Sequence, residues 1–285
     1  MSGSGASPTV VALVPAWRAA EFIRPTLEGL LAQAYPRFRI VVSDDASPDD
    51  TAAICESYAG RDARFRVIRQ RRNLGWIGNV NALLAHGDGD YLLFAFHDDV
   101  LAPEYVSRCV AALEANPRAI IAFSDLTLVN QDGSSEERSY PLLDGLGGRL
   151  ERARAVAQLR GSWWIPNRGV FRASAAHAIG GLRRHLAGEF SADWPWLLHM
   201  SLLGEFVRIP QVLCTKVYTR QSLSRGWTAG ARPTIAVTLS ALREVARAKA
   251  PGREKLVIGR DLLRYAGRSL RQAIGRKARR SAGER

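Results

Sequence analysis

Two pairs of adjacent carboxylates and one lone carboxylate are the residues of this chain best placed to do chemistry. Asp98-Asp99 follows the apolar run Tyr91–Phe96, one residue after it. Neighbouring carboxylates at the end of a buried strand repel each other and lose solvation. A divalent cation carrying a diphosphate would offset both costs, and an all-oxygen ligand set suits Mg2+ or Mn2+. The competing reading is a solvated turn that prepares a helix near Pro103. Asp44-Asp45 follows Ile40-Val41-Val42 and suits a base N–H or ribose hydroxyls, or plain turn chemistry ahead of Ser47. Asp193 sits between Ser191 and Trp194 at a helix start. It is either a first-turn acid favoured by the helix dipole or a general base beside an aromatic platform. Trp163-Trp164 offers flat apolar faces for a sugar ring, although aromatic pairs more often fill cores.

The elements that must position these residues alternate strand and helix. Thr9–Val14 reads as a buried strand, and Ile23, Leu27, Leu30, Leu31 and Ala34 share one helical face up to Tyr35-Pro36. Arg39–Ser43 is a second strand. Ser47-Pro48-Asp49-Asp50 reads as a helix start with Ser47 as its cap. Phe65–Ile68 is a third strand, and Asn73-Leu74-Gly75 turns into a helix across Ile77–Ala85. Tyr91–Phe96 is continuous enough to be covered on both faces. A helix carrying Val106, Cys109, Val110 and Leu113 follows, then a strand at Ile120–Val129. This β-α-β-α rhythm predicts a mostly parallel α/β sheet, whose ligands bind at the carboxyl ends of the strands. Both acidic pairs lie at such ends. Beyond it, Glu151–Leu159 and the segment from Asp193 read as helices, while Phe206–Ile209 and Val212–Tyr218 read as two strands.

The charge distribution separates the tail from the body. The 285 residues carry 40 Lys+Arg against 27 Asp+Glu, a formal +13. Residues 231–285 hold 15 of the basic and 4 of the acidic residues, a net +11, so residues 1–230 are nearly neutral. Thr234–Ala248 reads as one helix. From Glu254 a second carries Leu263, Leu270 and Ile274 on one stripe and Arg260, Arg264, Arg268 and Arg271 on another, a basic amphipathic pattern. Three scattered cysteines, Cys55, Cys109 and Cys214, fit neither a disulfide framework nor a metal spacing and point to a reducing compartment. The start MSGSGASP lacks the pattern of a secretory signal, and no apolar run approaches a membrane span. No GxGxxG follows a strand, and neither GxxxxGK[ST] nor GxSxG occurs, which argues against dinucleotide, P-loop and hydrolase chemistries. The five histidines show no ligand spacing.

In order along the chain, several segments resemble family 2 glycosyltransferases of GT-A fold. Val11–Trp17 resembles the family's opening strand and turn, and Thr26–Pro36 its first helix. Ile40–Thr51, IVVSDDASPDDT, resembles its "DDGSxDxT" segment. Asn73-Leu74-Gly75 with Asn79 and Asn81 resembles its "NxGxxxxxN" helix entry, and His97–Leu101 its metal-site strand end. Gly169–Arg172 and Ala192-Asp193-Trp194 resemble its acceptor-side elements. The likeness covers roughly residues 9–225. It implies a nucleotide-sugar-binding half over residues 1–130, an acceptor half over 131–230 and a basic helical extension over 231–285.

Carried over by position, the resemblance implies that Pro15, Ala16, Trp17, Asp44, Asp45, Asn73, Gly75, Asn79 and Asp98 bind a UDP-, dTDP- or GDP-sugar. Arg220, with Ser222 and Ser224, would close over the diphosphate. Asp98 and Asp99 would hold Mn2+ or Mg2+, and Asp193 would be the base of an inverting, metal-assisted transfer. Trp163, Trp164 and Trp194 would face a glycan or lipid-linked acceptor in bacterial surface polysaccharide assembly. The chain departs from the family in three places: Phe96 stands where the first metal Asp is usual, Ala16-Trp17-Arg18 replaces a Tyr-Asn turn, and Arg220-Gln221-Ser222 has no His. A catalytically silent nucleotide-sugar- or carbohydrate-binding module is therefore the alternative. Nucleic acid is not expected as a partner. The tail is expected either to lay residues 254–280 on an anionic membrane, giving a cytoplasmic, peripheral protein, or to pack on the body or on a second subunit.

Overall fold

Runs of apolar residues that cannot face water on either side dictate the centre of the molecule. The computed structural model describes residues 6–159, 161–218 and 230–283, with side chains as far as 272. Every residue of β1 (Val10–Ala16) and β4 (Tyr91–Phe94) is buried. With β2 (Phe38–Asp44) and β3 (Phe65–Arg69) they form a parallel block in the order β3-β2-β1-β4. The sheet continues through β8 (Val170–Arg172), β6 (Ala119–Val129), β9 (Glu205–Val217) and β5 (Asp99–Leu101), and β7 (Ser135–Arg138) pairs with β6. Among these, β8 runs antiparallel to β4 and β6, and β5 antiparallel to β9. The carboxyl ends of β1, β2, β4, β6 and β9 and the amino ends of β8 and β5 therefore share one edge of the sheet.

The helices supply its cover: α1 (Ile23–Leu31), α2 (Thr51–Ala59), α3 (Gly75–Leu84), α4 (Tyr105–Ala115), α5 (Arg149–Ala157), α6 (Ala173–Ile179) and α7 (Asp193–Leu203). Gln33 stitches α1 to the chain around β5. Its amide donates to Gly29 O and Ala102 O, and its oxygen accepts from Val106 N–H. The three cysteines are buried and free of disulfides.

Three expectations change. The two strands expected at 206–209 and 212–218 are one strand, β9. Its register against β6 jumps from Ser124–Ile209 to Asp125–Val212, so Pro210, which has no N–H to give the ladder, bulges out with Gln211. Ser47 does not cap a helix. Its Oγ accepts from Arg18 N–H, while Asp49 accepts from Ala20 and Thr51 N–H, and α2 starts at Thr51. The tail's packing stripe is Ile258 and Leu262, both fully buried, whereas Leu263 is 60% exposed.

That tail is anchored to the body. α8 (Ala231–Arg247) lies against α7, where Glu244 meets His199 and Arg183. α9 (Gly252–Gly283) packs on α8 and α5, with Arg154–Asp261 at 2.7 Å and Arg149–Glu254 at 2.8 Å. Among the described residues no helix is long and apolar enough to cross a membrane.

Candidate active site

The shared edge of the sheet gathers side chains that lie far apart in sequence. A cavity of about 280 Å3 is lined by Pro15 from β1, Phe96 to Asp98 after β4, and Trp163, Trp164, Asn167 and Arg168 ahead of β8. Ser191 and Asp193 at the start of α7, Lys216 and Tyr218 at the end of β9, and Trp76 complete the wall. His97 is held by a bond between Nδ1 and Pro15 O at 2.9 Å.

Asp193 has the features of a buried base. Asn167 Nδ2 donates to its Oδ2 at 3.1 Å, while Oδ1 is buried with no hydrogen-bond partner. Burial pushes its carboxyl up to about 6, against the opposing effects of the nearby Arg168 charge and the Asn167 bond. It is thus ionised at neutral pH and more basic than an exposed Asp. Asn167-Arg168 is placed by a short 3-10 turn (Ile165–Arg168) that enters β8 at Gly169. A Cβ at Gly169 would lie 2.6 Å from Ala122 O, so only glycine lets this turn lie on β6.

The Asp98-Asp99 pair is already neutralised by the chain itself. The β5–β9 ladder sets Asp99 opposite Lys216. Lys216 Nζ donates to Asp98 Oδ2 at 2.7 Å and stands 3.7 Å from Asp99 Oδ1. Arg168 Nε reaches Asp99 Oδ2 at 2.8 Å, an ion pair whose N–H points too obliquely for a good hydrogen bond. The guanidinium also lies over Phe96 and Trp164, 5.3 and 4.9 Å from their ring centres. Burial would raise both carboxyls. Lys216 holds Asp98 below the usual carboxylate range, whereas burial keeps Asp99 above it despite Arg168. Protonated nitrogens donate and cannot ligate a metal. Between these carboxylates, the place a Mn2+ or Mg2+ would take belongs to the Lys216 ammonium, so the pair as arranged does not fit the ion. Among the described residues, no three His, Cys, Asp or Glu form a metal-binding group.

The remaining expected donor residues form a second cluster, at the end of β2. Asp45 Oδ1 accepts from Leu74 N–H at 2.7 Å, and Asn73 Nδ2 donates to Asp45 O. Asn73 Oδ1 accepts from Gly75 N–H, where the backbone takes φ +75 to open α3. Asn79 Nδ2 donates to Ser43 O. Asp44 accepts from Ser47 N–H, and its other oxygen is buried without a partner. Burial raises the Asp45 carboxyl. Ala16 is buried, and Trp17 is 42% exposed beneath the Arg18 guanidinium.

Trp194 departs from its expected role. It is fully buried, its Nε1 donates to Val156 O at 2.8 Å, and its ring meets Tyr265 edge-on. One residue along a helix turns the side chain by roughly 100°, so with Asp193 facing the cavity Trp194 faces the core. Arg220, Ser222 and Ser224 lie outside the described residues. The sequence reading missed Asn167, Arg168 and Lys216. Lys216 did leave a trace: it is one of only four lysines among 40 basic residues, and the only one before Lys249.

Comparison with known proteins settles the family. The profile of glycosyl transferase family 2 matches residues 11–155. The chain belongs to this family. Its match to a Bacillus subtilis protein named as a teichuronic acid biosynthesis glycosyltransferase, TuaG, is 27% identical over 127 residues. That stretch is 45% of this chain and 50% of TuaG. The chain spans half or less of the length of such curated relatives. Among solved structures, S. aureus TarS 1–349 in complex with UDP-GlcNAc matches at TM-score 0.73 and 17% identity, over 93% of this chain and 74% of that one. The mannosyltransferase PcManGT from Pyrobaculum calidifontis, in complex with GDP-Man and Mn2+, matches at TM-score 0.62 and 18% identity, over 94% and 75%. These structural likenesses establish the mixed α/β GT-A fold of this family 2 chain.

Proposed function

We propose that the chain moves a sugar from a nucleoside diphosphate donor to a hydroxyl of a glycan or lipid-linked acceptor, with inversion at the anomeric carbon, in bacterial surface polysaccharide assembly. The observation that carries this reading is the Asp193 carboxylate, poised at about 6, lining one cavity with Lys216 and Arg168. Asp193 accepts the proton of the acceptor hydroxyl as its oxygen attacks the anomeric carbon. The bond from that carbon to the diphosphate breaks, and the cationic side of the cavity stabilises the charge left on the leaving group. Asp193 acts as the single base, and the cavity's other carboxylate, Asp98, is bound by the Lys216 ammonium rather than offered as a nucleophile, which gives inversion. Trp163 and Trp164 flank the space left for the acceptor. The UDP-GlcNAc of TarS and the GDP-Man of PcManGT support a nucleotide-sugar donor, and TuaG supports the polysaccharide setting.

A thermal-shift screen of UDP-, dTDP- and GDP-sugars identifies the donor, and NMR of the product of an acceptor panel reads its anomeric configuration. Asp193→Asn should keep donor binding and lower transfer by about 10^3-fold or more. A retained configuration, or near-normal transfer by the variant, overturns the assignment. Donor binding without turnover by the wild type identifies a silent binding module.

A further inference from the structure

Two carboxylates and two cations meet at one end of the cavity. Asp98 and Asp99 are paired with two cationic side chains, Lys216 and Arg168. Lys216 is 6% exposed, with its ammonium 2.7 Å from Asp98, yet it remains on the cavity wall beside Asp98, Arg168 and Asp193. An ammonium has three N–H donors, and Asp98 accepts one of them. The strand pairing of β5 with β9 sets Lys216 directly opposite Asp99.

We propose that Lys216, seconded by Arg168, is the resident cation of this glycosyltransferase. It binds the donor's diphosphate directly, so nucleotide binding here does not require a divalent ion, in contrast to the PcManGT structure, which holds Mn2+ together with GDP-Man. The inference rests on the nucleotide-sugar reading above. Charge-assisted N–H to phosphate bonds supply the attraction. A fixed ammonium also needs no recruitment from solution, so the site is complete at any metal concentration.

Calorimetry of UDP, GDP and dTDP with the full chain tests this, in EDTA and in Mn2+. The wild type should bind one of the three with affinities in the two buffers within about threefold of each other. In EDTA, Lys216→Met should weaken that nucleotide by about 30-fold or more, and Lys216→Arg by no more than about fivefold. Because Lys216→Met removes the ammonium that sits between Asp98 and Asp99, Mn2+ should restore most of its affinity, a rescue that a merely structural lysine would not give. The wild-type arms decide even if the Met variant does not fold. Wild-type binding seen only with Mn2+ overturns the proposal and leaves the donor reading intact. Binding to none of the three in either buffer overturns both.

Discussion

Asn167 donates from Nδ2 to Asp193 Oδ2 at 3.1 Å, and this one bond joins the turn before β8 to the first residue of α7. It also favours the ionised carboxylate, since an amide N–H stabilises negative charge on the oxygen it meets. The acid limb of the kcat/KM profile should therefore reflect a group near 6, with activity rising as Asp193 loses its proton. Asn167→Ala should move that limb to higher pH and lower kcat by about 10- to 100-fold. A limb that stays in place would assign the titration to another group.

The same burial that makes Asp193 basic costs stability. Its folded pKa of about 6 lies above the ordinary 3.8, so its contribution is fully present below the lower value and lost as pH rises through the upper one. Above pH 7 the ionised carboxylate thus weakens the fold by about 1–3 kcal/mol. Asp193→Asn keeps an acceptor for Asn167 and removes the charge. The variant should match the wild type in melting temperature near pH 4 and exceed it by several degrees at pH 8. A gap that does not change with pH would mean that the carboxyl titrates normally.

Most of the sheet was legible in the sequence because burial on both faces leaves an unmistakable mark. Val10–Val14 and Tyr91–Phe94 are strands with no polar side, and few other structures accept such runs. Asp98 and Asp193 were legible as candidates through motif order, and both line the cavity. The cations were not, because Lys216 meets Asp98 across 118 positions of sequence and the contact arises only when β9 pairs with β5. Trp194 was misplaced for a local reason. Adjacency in sequence to Asp193 suggests a shared site, but on a helix it puts the two side chains on different faces.

Gly169 gives a test of how the site is positioned. An added methyl would press on the carbonyl of Ala122, a backbone atom held in the sheet, and on Ile121 Cγ2 at 2.7 Å. Gly169→Ala should destabilise the protein by about 1–3 kcal/mol. The turn bearing Asn167 and Arg168 should shift with it, so transfer should fall further than the loss of folded protein explains. Denaturant melts paired with kinetics at full folding separate the two effects.

Trp194 and Trp164 should divide into stability and function. Trp194 fills the core beneath Tyr265, and Trp194→Ala should cost about 3–5 kcal/mol. Trp164 is half-buried on the cavity wall beneath Arg168. Trp164→Ala should leave most of the stability and raise the acceptor KM by a larger factor than it weakens the nucleotide, which it supports only through Arg168. Isothermal titration with the free nucleotide and kinetics with varied acceptor distinguish these outcomes.

The basic tail calls for substitutions rather than truncation. Removing α8 and α9 would strip Glu244 from His199 and Asp261 from Arg154, and uncover Trp194. Lost membrane binding in such a fragment would then say nothing about the surface of the tail. The outward face of α9 is separable, because Leu256 is 77% and Leu263 60% exposed, among the exposed Arg260, Arg264 and Arg268. Exposed apolar residues among arginines suit an anionic bilayer, where the leucines enter the acyl boundary and the arginines meet headgroup phosphates. The full chain should co-sediment with phosphatidylglycerol vesicles at low salt. Leu256→Glu with Leu263→Glu should reduce that binding by about tenfold or more while leaving the melting temperature within a degree or two. Equal sedimentation of both proteins would remove the membrane from the account of this tail and leave its arginines as a solvated surface.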